Sequence, residues 1–168
     1  MAAIVGLDDK TVEAICVQAS DNNDVVSPAN YNSIGQIVIA GHTKAVEKAV
    51  ALALAHGAKL AKKIPVSVPS HCALMQSASE KLADALRAVS IATPRIPVVQ
   101  NADVRAHKTP EKIRDALIQQ LTRPVRWVET IQFLMQQNVR TFYECGPGKV
   151  LTGLNKRIAK EITTENWV

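Results

Sequence analysis

No stretch of about 18 uninterrupted apolar residues, the length a helix needs to cross a bilayer, occurs in the 168-residue sequence, so no membrane association is expected. The opening Met1-Ala2-Ala3-Ile4-Val5-Gly6-Leu7-Asp8-Asp9 carries neither a basic leader nor a cleavage site, and the sequence reads as cytoplasmic. Cysteine is scarce and poorly placed for cross-linking or metal: Cys16, Cys72 and Cys145 are odd in number, far apart and lack a CxxC pair. That argues against a disulfide framework and against a metal site. Aromatic residues make up only 4% of the chain, which leaves few platforms for stacking bases. The basic residues are dispersed (Lys59, Lys62 and Lys63; Arg123 and Arg126; Lys156 and Arg157), so a solvated surface is the simpler reading and nucleic-acid binding is not expected. Internal repeats and low-complexity segments are absent as well.

What remains is a globular composition, 47% hydrophobic, long enough for one sizeable core or for two small units sharing an interface. The formal net charge of +5 favours acidic partners such as nucleic acid, CoA phosphates or an acidic carrier protein, although sign alone does not choose among them.

Along the chain, Met1 to Leu7 reads as a strand, and Asp8-Asp9-Lys10-Thr11 opens a helix whose apolar positions Val12, Ile15, Cys16 and Ala19 recur at helical spacing. Val25 to Asn32 and Gln36 to Gly41 read as a hairpin around Ser33-Ile34-Gly35. Thr43 is expected to cap a helix from Lys44 to His56, ended by Gly57, and Lys59 to Val68 returns as a strand. The order βαββαβ over residues 1–66 matches a ferredoxin-like unit, an arrangement that hosts many unrelated functions. From 67 to 168 the pattern changes to longer helices between single strands. Helices are expected at Cys72 to Val89, Glu111 to Leu121, Val125 to Gln137 and from Lys149 onward. Strands are expected at Ile96 to Asn101 and Val139 to Glu144. These are the α/β repeats of a parallel sheet, but two strands are too few for such a sheet, which is normally several strands wide and buried on both faces.

The chemistry-bearing candidate is His71. Ser70, after Pro69, is placed to cap the helix that follows, which would put His71 at a helix start facing a cleft. A lone histidine there is more commonly a structural or surface residue.

Four segments, in order, alter that balance. Asn30-Tyr31-Asn32-Ser33-Ile34-Gly35-Gln36-Ile37-Val38-Ile39-Ala40-Gly41 is the first, and Pro65-Val66-Ser67-Val68-Pro69-Ser70-His71-Cys72-Ala73-Leu74-Met75 the second. Gln120-Leu121 followed by Pro124-Val125-Arg126-Trp127, and Glu144-Cys145-Gly146-Pro147-Gly148-Lys149-Val150-Leu151, complete the set. Together they resemble the hairpin, the histidine segment, the segment after it and the C-terminal turn of bacterial malonyl-CoA:acyl carrier protein transacylases, over nearly the whole chain. The resemblance implies the C-terminal part of an α/β-hydrolase-like large acyltransferase subdomain behind a ferredoxin-like small one, with Met1 an internal methionine of the family. It also implies an enzyme of fatty acid biosynthesis. A serine attacks the malonyl thioester, CoA leaves, and the phosphopantetheine thiol of acyl carrier protein then takes the acyl group. No bound cofactor is implied; malonyl-CoA and phosphopantetheinylated acyl carrier protein are substrates. His71 would be the general base, since neither a hydroxyl nor a thiol is a strong nucleophile at neutral pH. The backbone carbonyl at Gln120 would orient it where an acid stands in a Ser-His-Asp triad; otherwise Gln120 is an ordinary helix-end residue. Asn30 and Asn32 match polar residues of the family's substrate cleft, where they hydrogen-bond substrate or water, or merely shape the turn.

The family's nucleophile lies in a Gly-His-Ser-x-Gly elbow, and no such sequence occurs. Gly41-His42-Thr43-Lys44-Ala45 follows a strand and opens a helix but has threonine for serine and lacks the second glycine. Cys72 next to His71 reads as a buried small hydrophobe, because neighbouring residues on a helix point in different directions. The serine and the arginine that holds the malonyl carboxylate are therefore expected in a missing N-terminal half, and the chain alone is expected to be inactive. Ser70 precedes the histidine where related polyketide acyltransferases often have phenylalanine when they select malonyl and serine when they admit a methyl branch, but the resembled bacterial fatty-acid enzymes carry this Pro-Ser-His form and take malonyl, so malonyl is the expected acyl group. The competing expectation is a non-catalytic module that binds CoA or acyl carrier protein.

Overall fold

The computed structural model describes residues 1–167, and its first 63 residues build one antiparallel sheet. Strand β1 (Ala2–Val5) is followed by helix α1 (Asp9–Ala19), the hairpin β2 (Val26–Ser33) and β3 (Gln36–Gly41), helix α2 (Thr43–Ala55) and strand β4 (Leu60–Lys63). The sheet order is β2-β3-β1-β4, with every pairing antiparallel. Asp8 accepts a hydrogen bond from the Thr11 amide and so starts α1, while Gly57, at φ 85°, supplies the left-handed residue that ends α2. The cap of α2 is His42, not Thr43. Thr43 is already helical, and the His42 imidazole is directed to the Val25 amide instead of its own helix.

Residues alternate in a strand, so β3 sends Ile37 and Ile39 to one face and Val38 and Ala40 to the other. The first face meets α1 and α2 in a core of Ile4, Val12, Ile15, Cys16, Ile37, Ile39, Val46 and small alanines. Burying a side chain the size of isoleucine stabilises by about 1.5–3 kcal/mol. The second face is covered near Ala29 and Ala40 by Cys72 and Leu74 of the segment after β4, together with Met1.

After a single 3-10 turn (Ala73–Met75) come α3 (Gln76–Arg87), α4 (Pro110–Gln119), α5 (Trp127–Gln136), strand β5 (Thr141–Cys145), α6 (Val150–Ile158) and strand β6 (Thr163–Trp167). Strands β5 and β6 pair in parallel, and α6 connects them. Their core is small: Ile131, Ala159 and Ile162, with Trp127, Met135, Phe142 and Ile158 against it. The two parts of the chain are stitched at β2. Proline at position 28 marks β2 as an edge, and its outer rim is occupied by Val125, whose N–H donates to Ala29 O and whose carbonyl accepts from Tyr31 N.

Two further expectations are corrected. Ile96 to Asn101 is not a strand: only an isolated Val99–Ala106 bridge forms, and Ile96 is 78% exposed. A β-rich run needs a neighbouring ladder, and Pro97 has no N–H to offer one. The second strand of the later sheet is instead β6, a polar stretch not anticipated. Ser70 does not cap a helix. His71 is left-handed, at φ 64°, and Cys72 is extended, so α3 cannot begin before the 3-10 turn is complete.

Candidate active site

The cleft of interest opens on the second face of the antiparallel sheet and is lined by Met1, Asn30, Asn32, Val38 and the segment from Ile64 to His71. Asn30 and Asn32 lie two apart on β2 and so share a face. Ser70 and His71 come from the irregular segment that crosses that face. Among the described residues lining it, no lysine, arginine or carboxylate is present.

His71 is held from three sides. Its backbone N–H donates to Leu121 O at 3.1 Å, its ring Nδ1 lies 2.7 Å from Gln120 O, and its successor Cys72 donates Sγ–H to Pro69 O at 3.1 Å. A carbonyl oxygen can only accept, so Nδ1 carries the proton and Nε2 is left with the free lone pair. A non-glycine residue at φ 64° stores about 1–3 kcal/mol of strain and persists only where its surroundings over-determine it. Those surroundings are the C-terminal end of α4, where the last carbonyls of a helix lack partners within the helix. Two of them are satisfied by His71 itself.

The side chain of Gln120 plays no part in this contact; its backbone does. Leu121 and Val38 also contribute, and sequence reasoning missed both: adjacency to Gln120 was the available signal for Leu121, and the alternation of β3 for Val38. Cys72 is 3% exposed, and burial pushes its thiol up, away from the reactive thiolate. Cys16 is likewise raised by burial, to about 12. The Gly41-His42-Thr43 turn lies outside the cleft, since none of the three lines it. A Cβ on Gly41 would stand 2.1 Å from Val25 O, so close backbone approach accounts for this glycine.

A second hollow, lined by Asp103, Arg105, His107, Lys112 and Asp115 among others, shares no residue with the cleft. His107 Nε2 there lies 2.6 Å from Asp103 Oδ2. Among the described residues, no three His, Cys, Asp or Glu side chains come together in a group able to hold a metal ion, and no helix is long and apolar enough to cross a membrane.

Comparison with known proteins places these features in context. Residues 1–166 match the model of the acyl transferase domain family. The chain is 52% identical over 163 residues to a malonyl CoA-acyl carrier protein transacylase of Escherichia coli K12, covering 97% of this chain and 52% of the relative. It is 43% identical over 166 residues to the Bacillus subtilis protein of the same name, covering 98% and 52%. Among solved structures, it is similar to an acyl carrier protein S-malonyltransferase of Vibrio cholerae, with a TM-score of 0.96 and 49% identity over 99% of this chain and 54% of the other. A malonyl-transacylase solved in complex with its type II PKS acyl-carrier protein gives a TM-score of 0.96 at 46% identity, over 99% and 53%. The chain thus spans about half the length of the curated relatives it matches.

Proposed function

Since the chain belongs to the acyl transferase domain family, we propose that it is the histidine-bearing part of a cytoplasmic malonyl-CoA:acyl carrier protein transacylase of fatty acid biosynthesis. Residues 1–66 form its ferredoxin-like small subdomain, and residues 67–168 form the C-terminal portion of its large α/β subdomain. The observation that carries the reading is the His71 ring, fixed through Nδ1 on Gln120 O at 2.7 Å and opening into a cleft shared with Asn30, Asn32 and Ser70.

In this reading, a serine supplied by the missing N-terminal half gives its Oγ proton to His71 Nε2 as Oγ attacks the thioester carbonyl of malonyl-CoA. Collapse of the tetrahedral adduct breaks the C–S bond, and the CoA sulfur leaves with that proton. The phosphopantetheine thiol of acyl carrier protein then gives its proton to Nε2 and attacks the acyl-serine, and the serine oxygen takes the proton back. Each half-reaction needs a lone pair on Nε2 at its start, and in the neutral ring the Gln120 carbonyl, by taking the Nδ1 proton in a hydrogen bond, leaves it there. Asn30, Asn32 and Ser70 line the acyl pocket and hydrogen-bond the substrate or its water.

The sheet supports the view that a further segment completes the enzyme. A two-stranded parallel sheet is too small to stand alone, and Tyr143 and Trp167 on it are 57% and 71% exposed. Such surface is ordinarily covered.

The test is incubation with labelled malonyl-CoA. The lone chain is expected to gain no mass, and a hydroxylamine-sensitive adduct on it would overturn that. Adding the other half of the relatives' length is expected to restore transfer, and His71→Ala should then remove most of it; near-normal rates in that variant would take His71 out of the mechanism. The second reading, a non-catalytic CoA or acyl carrier protein module, is favoured by the absent elbow and the +5 charge. Tight, saturable binding of acyl carrier protein to the lone chain would support it.

A further inference from the structure

We infer that Ser79 is a positioning residue for His71, acting through the last turn of α4. Ser79 is on α3, 5% exposed, and its Oγ donates to Ile118 O at 3.0 Å. Ile118 is two residues before Gln120, whose carbonyl takes His71 Nδ1, and three before Leu121, whose carbonyl takes His71 N.

The carbonyls at this helix end form an ordered series. Ile118 O accepts Ser79 Oγ–H and the long 3.3 Å Leu121 amide; Gln119 O accepts the amides of Thr122 and Arg123 and the Thr122 hydroxyl at 3.3 Å. Gln120 O and Leu121 O then go to His71. Of the two bonds on Ile118 O, that from Ser79 is shorter and is the only one from outside α4's own turn. It fixes the height and direction of the turn relative to α3, and α3 is continuous with the segment that carries His71. The strained φ of His71 means that the two carbonyls must stay where they are for the ring to stay where it is. Ser79 thus closes a loop of contacts: His71, the 3-10 turn, α3, Ser79, the end of α4, and back to His71. Ser79 has no contact with substrate in this scheme; what it sets is the fraction of time Nδ1 rather than Nε2 holds the ring proton.

The inference rests on the proposed base role of His71 for its consequence in catalysis, but its geometry can be read without any activity. Long-range proton–nitrogen NMR on the 168-residue chain reports the tautomer of each imidazole. There are four histidines, and His42, whose Nδ1 accepts the Val25 amide, serves as a reference of opposite tautomer. Ser79→Ala is expected to lower the Nδ1–H population of His71 and broaden its signals. The control is Arg114→Ala, which also cuts bonds that tie α4 to the α3 side, from Nε to Leu86 O and from Nη2 to Val89 O, but at and just beyond the far end of α3. It should leave His71 unchanged. In the completed enzyme, Ser79→Ala is expected to lower kcat on the order of tenfold with KM unaltered, as a misaligned base does, and Ser79→Cys to recover part of it. An unmoved His71 tautomer in Ser79→Ala, or an equal change in Arg114→Ala, overturns the inference. Loss of transfer with an intact tautomer would also do so. An active His71→Ala enzyme would instead overturn the base assignment while leaving the contact geometry to the NMR result.

Discussion

Gly41→Ala separates two accounts of the Gly41-His42-Thr43 turn, a close backbone approach or a degenerate nucleophile elbow. The new Cβ would stand 2.1 Å from Val25 O, 2.6 Å from Val26 Cα and 2.9 Å from Val25 C. Gly41 is not among the residues with positive φ, so the torsions suit alanine and the cost is steric alone. Restoring ordinary contact requires the β2 backbone to move by about 1 Å or more. That shift acts on a doubly tied point: Val25 O accepts the His42 amide at 2.9 Å, and the Val25 amide donates to His42 Nδ1 at 2.9 Å. Overpacking of this kind costs about 1–3 kcal/mol and each of the two weakened hydrogen bonds about 1 kcal/mol, giving a loss of about 3–5 kcal/mol. For a chain of this size, Tm should fall by about 6–20 °C. Circular dichroism melts measure it, with Gly153→Ala as a comparison. A Cβ on Gly153 meets nothing within 4 Å, and α6 should gain about 0.5–1 kcal/mol. Should Gly41→Ala melt within about 2 °C of the parent, the close-approach account is wrong.

Other perturbations address single contacts. Gln120→Ala retains the carbonyl that holds His71, so the His71 tautomer should be unchanged and transfer in the completed enzyme should stay within about twofold; a large loss would show that the side chain acts. With a thiol reagent at pH 8, Cys145 is exposed and should react at once. Cys16, pushed up to about 12 by burial, has a thiolate fraction of about one in ten thousand there, and it should react only on unfolding, as should Cys72. Three equal rates in the native protein would contradict the burial. Glu144 accepts the Leu151 and Thr152 amides at the start of α6, and those bonds hold its carboxyl below the usual range. A group lowered on folding stabilises fully above its unfolded value, about 4.3, and that contribution fades as pH falls through the folded value. Glu144→Gln should flatten the acid limb of stability as pH falls below about 4.3; an unchanged slope would remove Glu144 from it.

The antiparallel sheet was readable because its signals are local. Ile37 and Ile39 alternate with residues of the other face, Asp8 caps, and Gly57 terminates, each within a few positions of the element it defines. The later sheet was less readable, for the opposite reason. Ile96 to Asn101 has strand composition but no ladder beyond a single bridge, whereas Thr163–Trp167 is polar and pairs because α6 returns it beside β5. Strand composition is a statement about a surface waiting for a partner, and only the arrangement of the rest of the chain supplies one.

The site divides along the same line. His71 stands out by residue type, and Asn30 and Asn32 through the family resemblance. The groups that make His71 a candidate base are instead carbonyls of Gln120 and Leu121, which every residue possesses and no motif can mark. The left-handed backbone of His71 is equally silent in sequence, since nothing in Pro69-Ser70-His71-Cys72 demands it. It follows from the helix end it must reach. The end of α4 has carbonyls without helical partners, and the segment after β4 bends through a strained residue so that both the amide and the ring of His71 meet them. The strain and the hydrogen bonds are therefore one feature: a change that releases either, at Ser79 or at His71 itself, should release both.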